Sequence, residues 1–271
     1  MATRLYRQHR LWTKTLNYLI HPAIETTLPS NARVAEIATG AGVWLLAAAR
    51  YLPDSVSFVG FDSCKSQFPK LDALPKNISF ETQNLLKPFH QEHLGTFDLV
   101  SLRSMASQLG KEEWELVARN IVLLLKPGGY IQWMEADIEH CTLMQQASQA
   151  SCESLTLLAS SALAYLRSKR KDPSGCRGLP EIFNSLGLEF CAQDTFSSDL
   201  DPELRAEFTD IYARTLLGTM GQAGLQLWNG WSCEKVRELE RKVFGELETD
   251  EVYWRCDFRV VIGRVLVVVK K

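Results

Sequence analysis

The apolar stretch Val34-Ala35-Glu36-Ile37 runs into Ala38-Thr39-Gly40-Ala41-Gly42, and a second apolar run closes on Asp62, twenty residues after Gly42. No other feature constrains the fold as strongly. Val34, Ala35 and Ile37 give a buried strand of the kind found in parallel sheets covered by helices. Gly40 and Gly42 remove side chains where backbone must approach a ligand and where a turn needs positive φ. A helix is predicted from Trp44 to Ala49, ending before Pro53, and a strand from Val56 to Phe61. A carboxylate at the end of that strand can accept hydrogen bonds from ribose hydroxyls, so the unit reads as half of a nucleotide-type α/β site.

Two details select among ligands. The turn reads Gly-Ala-Gly-Val-Trp-Leu, without the third glycine that brings helix and strand together around a pyrophosphate. Glu36, inside the first strand, would repel a pyrophosphate and attract an ammonium or sulfonium group. S-adenosylmethionine carries both cations and no phosphate.

Further blocks follow in order. Gln83-Asn84-Leu85 comes after the predicted strand Ile78 to Thr82. Phe97 to Arg103 makes a fourth strand, and Leu125 to Trp133 makes a turn through Gly128-Gly129 and a fifth strand. Upstream stands Tyr18-Leu19-Ile20-His21-Pro22. Together these stretches resemble the class I S-adenosylmethionine-dependent methyltransferases, and within them the fungal small-molecule branch of secondary metabolism, from about Arg4 to Lys271.

The resemblance implies an α/β, Rossmann-like sheet, mostly parallel with an antiparallel last strand, a helical N-terminal cap and a helical insertion before the last strand. It implies S-adenosylmethionine as cofactor, held by Glu36, Ala38, Thr39, Gly40, Gly42, Asp62, Asn84 and Leu85. Asn84 departs from the family's usual Asp beside the adenine, although an amide oxygen can still accept from the adenine amino group. The implied reaction is methyl transfer to an oxygen or nitrogen of a small metabolite.

With 46% hydrophobic and 23% charged residues the composition is that of an ordinary globular protein, and a net charge of -2 disfavours a polyanionic partner such as nucleic acid. The stretch Ser101-Leu102-Arg103-Ser104 does not resemble the Asn/Asp-Pro-Pro-aromatic pattern of nucleobase amine methyltransferases. Seven cysteines without a C-x-x-C pair imply a reduced protein with no structural zinc, and no metal ligand set is expected. Arg4, Arg7, His9 and Arg10 stand where a signal peptide would be apolar, and no run reaches the length of a membrane span. The expectation is a cytoplasmic protein without membrane contact, of open oligomeric state.

The 271 residues fit one methyltransferase domain: residues 1–30 as helical cap, 33–133 as cofactor-binding core and 195–257 as a lid or substrate insertion. Helices are predicted for Glu112 to Leu125, with Trp114, Val117, Ile121 and Leu124 buried, and for Thr142 to Arg170, Leu179 to Leu186, Pro202 to Leu217 and Cys233 to Leu247. Leu188 to Ala192 and the valine-rich Arg259 to Val269 read as the last strands.

Positioning alone can supply on the order of 7 to 11 kcal/mol in methyl transfer, so no dedicated base is required. Candidate catalytic residues are His21, as a base on the segment before the first strand, and Arg103, as an anchor for an acidic substrate or the cofactor carboxylate. His21 also reads as a helix cap or backbone contact before Pro22, and Arg103 equally as a salt bridge at the sheet edge. His9 is a weaker base candidate; His90, His93 and His140 read as surface or loop residues. Glu135 and Asp137 are either proton acceptors or solvated loop acids. Trp133, Trp228, Trp231 and Trp254 either line an aromatic pocket or form core, and Trp44 either packs beside the cofactor or in the core. Three rivals stay open: a methyltransferase-like fold repurposed for cyclisation or pericyclic chemistry, a LaeA-like regulatory protein, and a nicotinamide oxidoreductase.

Overall fold

The computed structural model describes residues 2–70, 74–147, 150–222, 231–249 and 251–267. It opens with α1 (Ala2–Leu16) and the short α2 (Pro22–Glu25), with Pro22 at the first turn of α2, where its missing N–H costs nothing. Strands and helices then alternate: β1 (Arg33–Ile37), α3 (Val43–Tyr51), β2 (Ser57–Asp62), β3 (Ile78–Thr82), β4 (Phe97–Arg103), α4 (Lys111–Val122) and β5 (Leu125–Ala136). After them come β6 (Thr142–Gln145), α5 (Glu153–Ser168), α6 (Leu179–Ser185), β7 (Leu188–Ser197), α7 (Pro202–Gln222), α8 (Cys233–Leu247), β8 (Val252–Arg255) and β9 (Asp257–Val265).

Seven strands form one sheet in the order β3-β2-β1-β4-β5-β9-β7. β1 to β5 run parallel, and β9 runs antiparallel between β5 and β7, as expected of the last strand. From β1 the chain builds outward through β2 and β3 on one side, then crosses to β4 and β5 on the other. The carboxyl ends of β1 and β4 therefore flank the crevice where sheets of this type bind ligands.

Side-chain alternation assigns the two faces. Val34, Phe58, Leu99, Tyr130 and Met134 pack with Trp12, Ile24, Trp44, Leu158 and Phe208. Ala35, Ile37, Val100 and Trp133 pack on the other side with Trp114, Val117, Ile121, Leu124 and Phe183, which confirms the buried stripe predicted for α4. Glu36 and Arg103 fall in the alternation beside Val34 and Leu99, so both face the side covered by α1, α3 and α7.

Several expectations change. The helix predicted from Thr142 begins only at Glu153, because Thr142–Gln145 pair with Val252–Arg255 as a separate two-stranded antiparallel sheet. β7 continues past Ala192 to Ser197, since Gln193 to Ser197 find partners along β9. β9 starts two residues before Arg259 and ends at Val265; the final Val268 and Val269 of the predicted strand lie outside the described residues. Within the cap, Asn17 to His21 interrupt the helix before Pro22 does. Among the described residues no helix is long and apolar enough to cross a membrane.

Candidate functional site: a cofactor cleft beside an apolar cavity

The turn after β1 is built from left-handed backbone. Ala38, Gly40 and Gly42 have φ of 55°, 55° and 68°, and Ser104, just past β4, has 63°. For alanine and serine that conformation costs about 1–2 kcal/mol each. The strained residues thus stand at the ends of the two strands that flank the crevice, and strain of this kind gathers where ligands bind. At Gly42 no side chain fits: a Cβ would lie 2.5 Å from Cζ of Phe80 on β3.

Hydrogen bonds fix the turn. The Thr39 amide donates to the Phe61 carbonyl at 2.9 Å, and the Gly40 amide donates to Oδ2 of Asp62 at 2.8 Å. The other Asp62 oxygen accepts from the Cys64 amide at 2.9 Å, so the carboxylate is oriented by backbone on both sides of the cleft. Each of its oxygens keeps a further lone pair for a hydroxyl donor.

Glu36 is 3% exposed, and its Oε2 accepts from the Thr39 hydroxyl at 2.5 Å and the Leu45 amide at 3.2 Å. Burial pushes its carboxyl up to about 7, although Arg103 and the two hydrogen bonds pull the other way. Arg103 makes no ion pair among the described residues; its guanidinium donates to Nδ1 of His9 on α1 at 3.2 Å. Burial and then the guanidinium charge hold His9 down to about 4, so His9 stays neutral and leaves the Arg103 charge uncompensated on that side. α1 is itself tied to α7 by Arg7–Asp210 at 2.8 Å and Arg10–Glu207 at 2.7 Å.

Beside the cleft, past β4 and β5, lies a cavity of about 370 Å³. α1 contributes Leu11 and Trp12, α5 contributes Ala162 and Leu166, and α7 contributes Phe208, Tyr212 and Leu216. Ser104 and Glu135 form its floor at the strand ends, and Lys169 and Lys171 also line it. Glu135 is fully buried, with each oxygen accepting two contacts: Met105 N at 2.7 Å and Trp133 Nε1 at 2.8 Å on Oε1, Met105 N at 2.9 Å and Ala106 N at 3.0 Å on Oε2. Burial raises it to about 7 against those donors. The loop carrying Ser104 is clamped to β5 by this one carboxylate.

Residues 34–129 match the family model described as a methyltransferase domain. Methyltransferase grgD from Penicillium sp is 25% identical over 286 residues, covering 96% of this chain and 92% of that protein. The chain carries an S-adenosylmethionine-dependent methyltransferase domain. N-methyltransferase gliN from Aspergillus fumigatus is 28% identical over 165 residues, covering 60% of the chain and 57% of gliN. Among solved structures, the [4+2]-cyclase SpnF superposes with a TM-score of 0.53 at 15% identity, covering 90% of this chain and 79% of SpnF, a likeness of fold alone.

In this methyltransferase the turn residues, Glu36, Asp62 and Arg103 converge on the crevice, whereas other expected site residues do not. The Asn84 side chain is exposed and its Oδ1 accepts from the Leu86 amide at 2.9 Å, closing a turn of its own. Leu85 packs toward the α4 side, and its carbonyl accepts from Asn120. His21 is corrected to a structural role: Nδ1 accepts from the Ala23 amide at 3.1 Å, capping α2, and Nε2 meets Asp194 at 2.9 Å, so neither nitrogen is free to serve as a base.

Other assignments resolve similarly. Asp137 is 1% exposed and bonds His140, Arg177 and Arg259; burial would raise it, but these partners hold it below the usual carboxylate range. His93 is buried, with Nε2 at 2.8 Å from Glu81, and not a surface residue. Trp44, Trp133 and Trp254 are core, with Trp44 donating to the Leu19 carbonyl. Trp231 packs at the edge of the core under Lys235, while Trp228 lies outside the described residues. The aromatic wall of the cavity comes instead from Trp12, Phe208 and Tyr212, which carry no local motif that marks them.

Proposed function

We propose that this enzyme transfers a methyl group from S-adenosylmethionine to an oxygen or nitrogen of a small-molecule metabolite held in the cavity. Bound in the crevice, the cofactor supplies an electrophilic methyl group on a sulfonium. The turn Ala38 to Gly42 and Asp62 are its seat, with Asp62 accepting from the ribose. Glu36 attracts the ammonium and sulfonium cations, and Arg103 holds the carboxylate of the amino-acid end. α1, α5 and α7 wall the acceptor and exclude water, which strengthens the electrostatic terms inside.

The observation that carries this assignment is the placement of Glu36 and Arg103 on one face at the switch point, close enough to influence each other but without an ion pair between them. A buried acid and a half-buried guanidinium held apart in this way complement a zwitterion. A phosphate would suit only one of them. Calorimetry with S-adenosylmethionine and S-adenosylhomocysteine tests the seat. Absence of binding by both at millimolar concentration overturns it, and binding without methylation of any acceptor points to the repurposed-fold rival.

A further inference from the structure

A nucleophile must lose its proton before or during methyl transfer, and a base within reach of the acceptor is the usual means. Among the described residues lining the cavity there is no histidine, aspartate or cysteine. The one carboxylate, Glu135, is held by three N–H donors, the Met105 and Ala106 amides and Trp133 Nε1, which tie it to the loop after β4. Tyr165 and Tyr212 are phenols, which donate protons and do not remove them at neutral pH. His9, on the neighbouring stretch of α1, is engaged by Arg103.

The charges around the cavity point the same way. Lys169 lies over the Tyr165 ring at 5.7 Å and makes no ion pair among the described residues, whereas Lys171 is paired with Glu113 at 3.4 Å. The Lys169 ammonium, with Lys171 partly offset by Glu113 behind it, makes the apolar, aromatic chamber attract an anion and repel a protonated amine. No free carboxylate in the described lining offsets them.

We propose that the cavity takes an acceptor with an apolar aromatic body whose nucleophile is an oxygen anion already deprotonated in neutral solution: a carboxylate, or an enol or phenol acidified by its substituents to ionise below about pH 7. This rests on the methyltransferase assignment and narrows its acceptor. The anionic oxygen bonds to the methyl carbon as the carbon–sulfur bond breaks, and that electron pair stays on sulfur as a neutral thioether. The proton went to solvent before binding, so the chain needs no base.

Three probes of one shape and different charge test the inference: naphthoate, naphthamide and naphthylmethylammonium, titrated calorimetrically into the enzyme saturated with S-adenosylhomocysteine. Naphthoate is expected to bind about five- to tenfold more tightly than naphthamide, with the ammonium weakest, the range available to two partly exposed lysines. The double variant Lys169→Gln, Lys171→Gln should erase the naphthoate advantage and leave naphthamide affinity unchanged. Equal binding of naphthoate and the ammonium, equal weakening of all three by the variant, or no binding of any probe overturns the inference. Because S-adenosylhomocysteine is titrated separately, failure of the cofactor seat is seen independently of failure of the acceptor class.

Discussion

The two halves of the active region are built by opposite means. The cofactor cleft is made of backbone: left-handed turns, amides aimed at Asp62 and a glycine that leaves no room for a Cβ. The acceptor cavity is made of side chains from helices far apart in the chain, with Trp12, Leu166, Phe208 and Tyr212 as its walls. A backbone site tolerates few residue types at each position, whereas a side-chain wall is met by any apolar residues of suitable volume. The first half therefore constrains residue type position by position, and the second is where the lining can change.

That contrast is most easily broken at Gly42. Gly42→Ala adds a Cβ against the Phe80 ring and strains a φ of +68°, and is expected to cost about 2–4 kcal/mol of stability with loss of S-adenosylhomocysteine binding. Gly95 is the control, since its φ is +66° but nothing lies within 4 Å of the added Cβ. Gly95→Ala should cost only the backbone strain, about 1 kcal/mol, and leave binding intact. Thermal melts and calorimetry on both variants separate clash from strain; equal losses would mean that Phe80 moves aside and the turn is not rigid.

Asp62→Asn comes next. The amide can keep an oxygen on one of the Gly40 and Cys64 amides but must turn an NH₂ toward the other, and it removes the charge facing the ribose. A charge-assisted bond is worth about 1.5–3 kcal/mol, so S-adenosylhomocysteine affinity should fall roughly ten- to a hundredfold. An unchanged affinity would place the sugar elsewhere.

Glu36 sharpens the comparison through pH. With its carboxyl at about 7 in the folded protein, the ionised fraction rises about tenfold between pH 6 and pH 8, and affinity for the sulfonium should rise with it. Stability should move the other way: a carboxyl raised on folding binds its proton more tightly in the folded state, so its contribution is full below the unfolded value and is lost as pH climbs through about 7. Glu135 adds a loss of the same sign in the same window, whereas the depressed His9 acts at lower pH, where its contribution falls away toward about 4. Glu36→Gln should flatten the affinity profile over this range without abolishing binding.

The same division explains what the sequence could reveal. β3, β4 and α8 have the bounds their local patterns predict, and the glycines and Asp62 are legible because backbone geometry demands those residue types at fixed spacing. β6 and β8 are not, because each four-residue strand exists only through pairing with a segment about a hundred residues away. Nor could His9 be tied to Arg103 from sequence, or Glu135 distinguished from a solvated loop acid, since both depend on how α1 and the loop after β4 close over the strand ends.

His21 gives the smallest expected effect. It sits on the segment between the helical cap and β1, where a base reaching toward the substrate was conceivable, yet its ring is consumed by structure: one nitrogen caps α2 and the other meets Asp194. Loss of such a cap costs about 1 kcal/mol. His21→Ala should therefore lower the melting temperature by a few degrees and leave S-adenosylhomocysteine affinity unchanged. Rescue of the melting temperature by His21→Asn, whose side-chain oxygen can accept from the Ala23 amide, would show that the cap is what the position supplies. A catalytic histidine behaves differently: single-turnover methylation would collapse in His21→Asn while its stability returned, and that outcome would move the proton chemistry from the cavity side of the molecule to α2.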